Sequence, residues 1–191
     1  MHLRRPATPR VEPIPEVAAK ARARMAESPA NAVNVLATMA HNKVISRAVG
    51  RFAATVLTEG AVPARQRELV ILRMGWNCQA VYEFGQHTLF GRDAGLEEAE
   101  IYLVTRPLGE GGWSDADRAV LQAADDLYTD DCLSDATWRD LGAHFSVPEV
   151  MEIIAAAGCY RVVSSLLNSC GVQLDEGVPG WPAPASAGGG R

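Results

Sequence analysis

The sequence predicts an all-α fold, a multi-helix bundle, and two observations carry this prediction. Nearly every apolar stretch repeats at intervals of three and four residues, which is the period of an amphipathic helix, and alternating strand patterns are hard to find. Residues that favour helix ends, such as Ser134, Ser146 and Gly171, stand at the edges of these stretches. With 191 residues, of which 48% are hydrophobic, the chain is long enough for one domain with a sizeable buried core.

The predicted helices follow one another with short connections. Apolar periodicity, proline at helix starts and glycine at helix ends set their limits. The predicted helices span residues 15–27, 30–40, 43–59, 63–75, 78–94 and 96–104, and three more follow Ser114, Ser134 and Ser146.

Two of these helix boundaries carry most of the predicted topology. Asn77 is expected to cap the helix that ends near Gly95, so that it forms a tight hairpin with the helix before it. Ser146 and Glu149 form a capping box before the last helix, which Gly171 ends. That last helix is rich in small residues, which let neighbouring helices approach closely at the centre of a bundle.

The chain divides into three predicted parts. Residues 1–29 form an arm and a helix, residues 30–174 form the helical domain, and residues 175–191 form a flexible C-terminal tail. The tail is rich in glycine, proline and alanine, and we expect it to be mobile unless Trp181 docks on the domain.

Charge and hydropathy exclude several classes of function. A net charge of −5 does not indicate a nucleic-acid-binding surface. The basic start of the chain lacks the apolar region of a secretory signal. Arg73, Glu83 and Arg161 interrupt the apolar runs before they reach the ~20 residues of a membrane span. We therefore expect a soluble protein with no membrane partner.

Cysteine and histidine spacing predicts neither disulfides nor a metal centre. Four cysteines show no CxxC spacing and are expected to be free thiols in a reducing cytoplasm. His2, His41 and His144 are scattered without ligand spacing, so we expect no metal site and no cofactor.

The segment NCQAVYEFGQH, residues 77–87, carries the candidate chemistry. Glu83 and His87 are four residues apart, so a helix places them on one face, where the carboxylate can orient the imidazole. Glu68 interrupts an apolar run on the preceding helix, and an antiparallel hairpin brings it opposite His87. Buried carboxylates of this kind become proton donors near neutral pH. The alternatives are a solvated Glu–His pair and a Glu68 that favours a first helical turn.

Neighbouring residues have auxiliary roles in this hypothesis. Cys78, near a helix start, is a candidate reactive thiol, although most lone cysteines are inert packing residues. Arg73 is a candidate for binding a substrate carboxylate, with an ion pair to Glu68 or an exposed position as alternatives. The pocket is expected between the two hairpin helices, with apolar walls from Trp76, Tyr82 and Phe84.

The segment VPARQRELVILRMGWNCQAVYEFGQHTLFGRDAGLEEAEI resembles the core motif of the carboxymuconolactone decarboxylase family, which also contains the alkylhydroperoxidase D-like proteins. The likeness covers about residues 30–175. It implies an all-helical fold of the alkylhydroperoxidase D-like type that assembles into dimers, trimers or hexamers. The residues shared with the motif, in order and spacing, are Arg67, Glu68, Leu72, Arg73, Tyr82, Glu83, His87, Ala94, Gly95 and Leu96.

The same resemblance divides the expected function. Thiol-peroxidase members carry a CxxC before the histidine, and Ala80 and Glu83 occupy those two positions here. Cys78 lies nine residues before His87, on the opposite side of a regular helix. Decarboxylase members carry a glutamate four residues before the histidine, as this chain does.

We therefore expect a cofactor-independent enzyme of proton-transfer chemistry. Glu68, Glu83 and His87 would decarboxylate, isomerise or hydrate a small unsaturated carbonyl compound or lactone acid. The alternatives are a thiol peroxidase that uses Cys78 and a non-catalytic ligand-binding protein.

Overall fold

The computed structural model describes residues 4–24 and 32–184. These residues form nine α-helices and one 3₁₀ turn and contain no β-strand, which confirms the predicted all-α class. The helices are α1 (Pro15–Arg24), α2 (Val33–Met39), α3 (Lys43–Thr58), α4 (Ala64–Asn77), α5 (Val81–Asp93), α6 (Glu98–Leu103), α7 (Asp115–Asp130), α8 (Asp135–Gly142) and α9 (Val147–Cys170), with the 3₁₀ turn at Leu108–Glu110. The predicted end of the first helix and the predicted start of the second lie outside the described residues.

Side-chain caps set several helix starts, as the sequence predicted. The Ser114 hydroxyl accepts a hydrogen bond from the Asp117 amide at 3.1 Å, and Ser134 caps α8 in the same way. A capping box joins Ser146 and Glu149 at the start of α9. The last helix ends where Gly171 adopts the left-handed conformation at φ +69°.

The predicted cap at Asn77 is wrong. Asn77 is the last residue of α4, and its side-chain amide donates to Asp125 on α7 at 2.7 Å. The chain then turns through Gln79, which has a positive φ of 52°, and α5 starts only at Val81. The predicted hairpin is nevertheless present, because α4 and α5 pack directly against each other.

Helix α4 is the centre of the bundle. Every residue from Glu68 to Gly75 is buried, and α4 packs against α5, α7 and α9. A buried helix next to α5 therefore places Glu68 inside the protein rather than on a solvated first turn.

Helix α9 is the other core element and has 24 residues. It packs against α3, α4, α5 and α7, and its buried small residues include Ala156, Ala157 and Ser164. Despite Arg161, α9 is long and apolar enough to cross a membrane, and it is the only helix in the described ranges with this length and composition. We interpret it as a core helix because α3, α4, α5 and α7 surround it.

The segment of residues 175–184, named here the strap, is docked on the domain rather than free. Asp175 is 6% exposed and Val178 is buried. The Trp181 ring packs edge-on against Trp76, with ring centroids 5.2 Å apart, and at a tilt against Phe84, with ring centroids 5.1 Å apart. Residues 175–184 therefore follow the docked alternative, because Trp181 has an aromatic partner on both α4 and α5. Residues 185–191 lie outside the described ranges.

Candidate functional site

Two helices bring the three predicted residues into the protein interior. Glu68 on α4 is 0% exposed, while Glu83 and His87 on α5 are 2% and 6% exposed. The Nδ1 atom of His87 lies 2.7 Å from Oε2 of Glu68. The hairpin thus joins Glu68 and His87 in a buried hydrogen-bonded pair, as expected from the sequence.

This contact fixes the chemical character of His87. A carboxylate next to Nδ1 favours the imidazole form in which Nδ1 carries the proton and donates a hydrogen bond to that carboxylate. The other ring nitrogen, Nε2, then remains as a proton acceptor. The imidazole is also held by Tyr160 on α9, whose ring lies edge-on at 4.6 Å from it. Glu68 itself also accepts a hydrogen bond from Arg67 at 3.1 Å.

Glu83 does not orient His87, contrary to the sequence-based expectation. The Ser164 hydroxyl on α9 donates to Oε2 of Glu83 at 2.9 Å. Oε1 of Glu83 is buried and has no hydrogen-bond partner among the described residues. The spacing of four residues places Glu83 and His87 on one face, but each side chain takes a partner from a different neighbouring helix.

Burial raises the pKa of Glu83 well above its usual value of 4.5, and the hydrogen bond from Ser164 opposes this shift only in part. Burial therefore favours the neutral, protonated form of this carboxyl group. A protonated acid and a carboxylate-supported imidazole stand side by side, which is the arrangement that separates acid and base roles.

A cavity of about 330 Å³ opens onto this pair. It lies between α5, α9, α2 and α3, rather than between α4 and α5 as the sequence suggested. Its polar lining includes Tyr82, Glu83, Gln86 and His87. Glu68 does not line the cavity, and its contact with the protein interior side of the site is the hydrogen bond to Nδ1 of His87.

The remaining predicted residues have other positions. Arg73 forms an ion pair with Asp125 at 2.7 Å and donates to two backbone carbonyls, so it is structural and does not face the cavity. Trp76 and Phe84 pack against Trp181 in the strap and are also absent from the cavity lining.

Tyr82 does line the cavity, and its hydroxyl group is held by hydrogen bonds to the strap and to α2. It donates to Asp175 in the strap at 2.5 Å and accepts from the Val35 amide at 3.2 Å. Burial and the neighbouring Asp175 raise the pKa of Tyr82 strongly, so it is a neutral wall residue.

Cys78 occupies the end of α4 and not the start of a helix. Its thiol donates to the sulfur of Met74 at 3.7 Å. Burial raises the pKa of Cys78 to about 11. A helix start would lower the pKa of a thiol, so the expected reactive position is wrong.

Sequence reasoning missed the residues that α9 and α3 contribute. Tyr160 and Ser164 are four residues apart on one face of α9, and they contact His87 and Glu83. The signal in the sequence is a polar spacing of four within an apolar helix, although Ser164 is equally typical of the small residues that allow close helix packing. No group of three or more metal-ligating side chains occurs in the part of the chain that the structure describes.

Comparison with known proteins supports the fold and the family. Residues 45–126 match the model of the carboxymuconolactone decarboxylase family. No curated protein matches the chain.

Solved structures share the architecture over most of the chain. A peroxidase-related protein with an alkylhydroperoxidase AhpD core from Ralstonia eutropha JMP134 is 21% identical, with a TM-score of 0.75 over 87% of this chain and 92% of that one. A protein related to AhpD antioxidant defence from Agrobacterium tumefaciens is 22% identical, with a TM-score of 0.67 over 72% and 94%. The debrominase Bmp8, in complex with 2,3,4-tribromopyrrole, is 15% identical, with a TM-score of 0.70 over 89% and 94%.

At these identities the likeness to solved structures shows the fold alone. The match over residues 45–126 agrees with the motif in the sequence, and it includes Glu68, Glu83 and His87. Residues 45–126 therefore resemble the carboxymuconolactone decarboxylase family, and the chain has the all-α fold of the AhpD-like structures.

Proposed function

We propose that the protein is a general acid–base enzyme that moves protons on a small unsaturated carbonyl compound. The observation that carries this proposal is the buried Glu68–His87 pair, 2.7 Å apart, of which His87 lines a 330 Å³ cavity. Cavities of about 300–1,000 Å³ with a few converging polar groups are typical sites for small molecules.

The proposed reaction begins at His87. Nε2 accepts a proton from a carbon next to the substrate carbonyl, and Glu68 stabilises the imidazolium that forms. The electron pair of the broken C–H bond moves into an enolate. Glu83, whose protonated form burial favours, stabilises the enolate oxygen with a hydrogen bond.

The proton on His87 then returns to a different carbon, which completes an isomerisation with no net change in protons or electrons. Decarboxylation and hydration are alternative uses of the same groups. In decarboxylation the enolate forms when carbon dioxide leaves and His87 supplies the proton. In hydration water adds to the double bond.

Deuterium exchange into small model ligands tests this proposal. In D₂O, the protein should exchange protons next to the carbonyl of small cyclic enones or lactones, which NMR detects directly. His87→Gln should lower the exchange rate by about 10²–10⁴-fold, the usual contribution of a general base. His144→Gln is a matched control because His144 is exposed and lies on the loop after α8. Equal rates in wild type and His87→Gln contradict the proposal.

A thiol peroxidase is the second candidate, because two of the fold relatives are named for peroxidase or AhpD antioxidant functions. It would require a thiolate at Cys78, and the raised pKa of about 11 disfavours that form. Peroxide consumption that Cys78→Ser abolishes, with deuterium exchange absent, would favour this candidate.

We also propose that the protein acts in the cytoplasm as a homo-oligomer. The free cysteines support a reducing compartment, and the family resemblance supports assembly. Analytical ultracentrifugation gives the oligomer size, and a purely monomeric protein at micromolar concentration contradicts this part of the proposal.

A further inference from the structure

Helix α3 forms the outer wall of the cavity through one face. The residues on this face recur at intervals of three and four, which places them on one side of the helix. They are Ser46, Val49, Gly50, Ala53, Ala54 and Leu57. Most have small side chains, so they leave open the volume that larger residues would fill.

The wall of the cavity carries no lysine or arginine among the residues that the structure describes. Arg67 pairs with Glu68 and lies outside the lining. Arg73 is committed to Asp125 and to backbone carbonyls. The groups at the floor are an imidazole, two phenols, an amide and the carboxyl of Glu83.

A ligand carboxylate at this floor would lose water and meet no cation. Desolvating a carboxylate without a positively charged partner is strongly unfavourable. An uncharged carbonyl group needs only one hydrogen-bond donor, and its hydrocarbon part gains from the apolar walls.

We propose that the cavity takes an uncharged, largely apolar carbonyl compound and selects against carboxylates, and that the cavity-facing side of α3 sets the size of the ligand. This inference rests on the proposed function because it names the substrate class for the same site. It replaces the lactone acid that the sequence suggested with a neutral enone or lactone, and it favours isomerisation or hydration over decarboxylation.

The protonation of Glu83 agrees with this choice of ligand. Burial raises its pKa and so favours the uncharged form of the carboxyl group. A neutral acid donates a hydrogen bond to a carbonyl oxygen, as the proposed reaction requires.

Gly50 provides a sharp test of the charge selection. It lies on the cavity face of α3, and a Cβ added there would meet no heavy atom within 4 Å. The first side-chain atom of a substitution therefore meets no neighbour, so Gly50→Arg is suited to add a cation at the cavity, and Gly50→Gln is a matched control that adds a polar side chain without charge. Either change also removes a glycine from the middle of a helix, which favours folding.

The experiment uses two ligands of nearly the same shape, the enone 1-acetylcyclohexene and cyclohex-1-ene-1-carboxylate, with binding to the full chain measured by ligand-observed NMR at pH 7.5. The wild type should bind the enone at least ~100-fold more tightly, the scale expected for an unpaired buried charge. Gly50→Arg should tighten carboxylate binding at least ~10-fold, while Gly50→Gln leaves it unchanged. A wild type that binds the carboxylate as tightly as the enone overturns the inference. So does a cavity that binds none of a panel of neutral enones and lactones.

A size test uses Ala54, which lies one helical turn after Gly50. Ala54→Leu should weaken binding of a two-ring enone at least ~10-fold and leave the one-ring enone within about threefold. Equal losses for both ligands contradict the assignment of α3 as the size-setting wall.

The outcomes separate this inference from the proposed function. Deuterium exchange that depends on His87 but occurs only with carboxylates refutes the substrate class and leaves acid–base chemistry standing. Tight binding of neutral enones, with exchange unaffected by His87→Gln, supports the substrate class and refutes the chemistry.

Discussion

The protonation of Glu83 predicts a specific dependence of stability on pH. Its usual pKa of 4.5 applies in the unfolded chain, whereas burial raises the pKa well above that value in the folded protein. At a pH between these two pKa values, Glu83 releases one proton when the protein unfolds. The free energy of unfolding therefore falls as the pH rises, by about 1.4 kcal/mol for each pH unit.

Glu83→Gln removes this proton from the balance while keeping the size of the side chain and an oxygen to accept the Ser164 hydroxyl. From pH 5.5 to pH 7.5 the wild type should lose stability relative to the variant as the pH rises, by at most about 1.4 kcal/mol for each pH unit. The other titrating groups are common to both proteins and cancel in the difference.

Urea unfolding at each pH, at one fixed protein concentration, measures this difference. Glu59→Gln is the matched control, because Glu59 is exposed, and its difference from the wild type should stay nearly constant with pH. A constant difference between wild type and Glu83→Gln over the same range would show that the folded protein ionises Glu83. The reasoning from burial would then be refuted.

Three further predictions follow from packing and burial. Glu68→Ala should cost about 3–5 kcal/mol in the free energy of unfolding, because it leaves buried polar partners unpaired, and Glu68→Gln should cost less than half as much in the same urea assay. Gly85→Ala should cost about 1–3 kcal/mol, since its Cβ would lie 2.2 Å from a strap carbonyl oxygen; Gly158→Ala on α9, where the Cβ meets nothing, should instead stabilise by about 0.5–1 kcal/mol. Thermal unfolding measures both changes in stability. Equal effects of the two substitutions would refute the close approach of the strap to α5. At pH 8, iodoacetamide should modify exposed Cys132 well before Cys78, whose pKa is raised to about 11, and mass spectrometry of the peptides shows the order.

Much of the fold was predictable because helix signals are local. Apolar periodicity and the caps at Ser134 and Ser146 located helices close to where the structure has them. The errors came from partners distant in sequence. Asn77 bonds to Asp125 instead of capping α5, and Trp181 docks between two helices that no local pattern links to it.

The candidate site divides in the same way. The contact between Glu68 and His87 was predictable because a hairpin brings adjacent helices together. The partner of Glu83 was not, since Ser164 lies 81 residues away in the chain. The cavity wall on α3 left a weaker signal, a row of small residues on one side of an amphipathic helix, which becomes informative only once its neighbours are placed.

The central claim is that Glu68 supports His87 from behind so that Nε2 faces the ligand. Long-range ¹H–¹⁵N NMR of the four histidine rings, with His87 assigned by its loss in His87→Gln, tests this most directly. The account predicts a His87 ring protonated at Nδ1, with an Nε2 signal that shifts when a neutral enone is added. A His87 ring protonated at Nε2 instead, or signals that ignore a bound ligand, would contradict it.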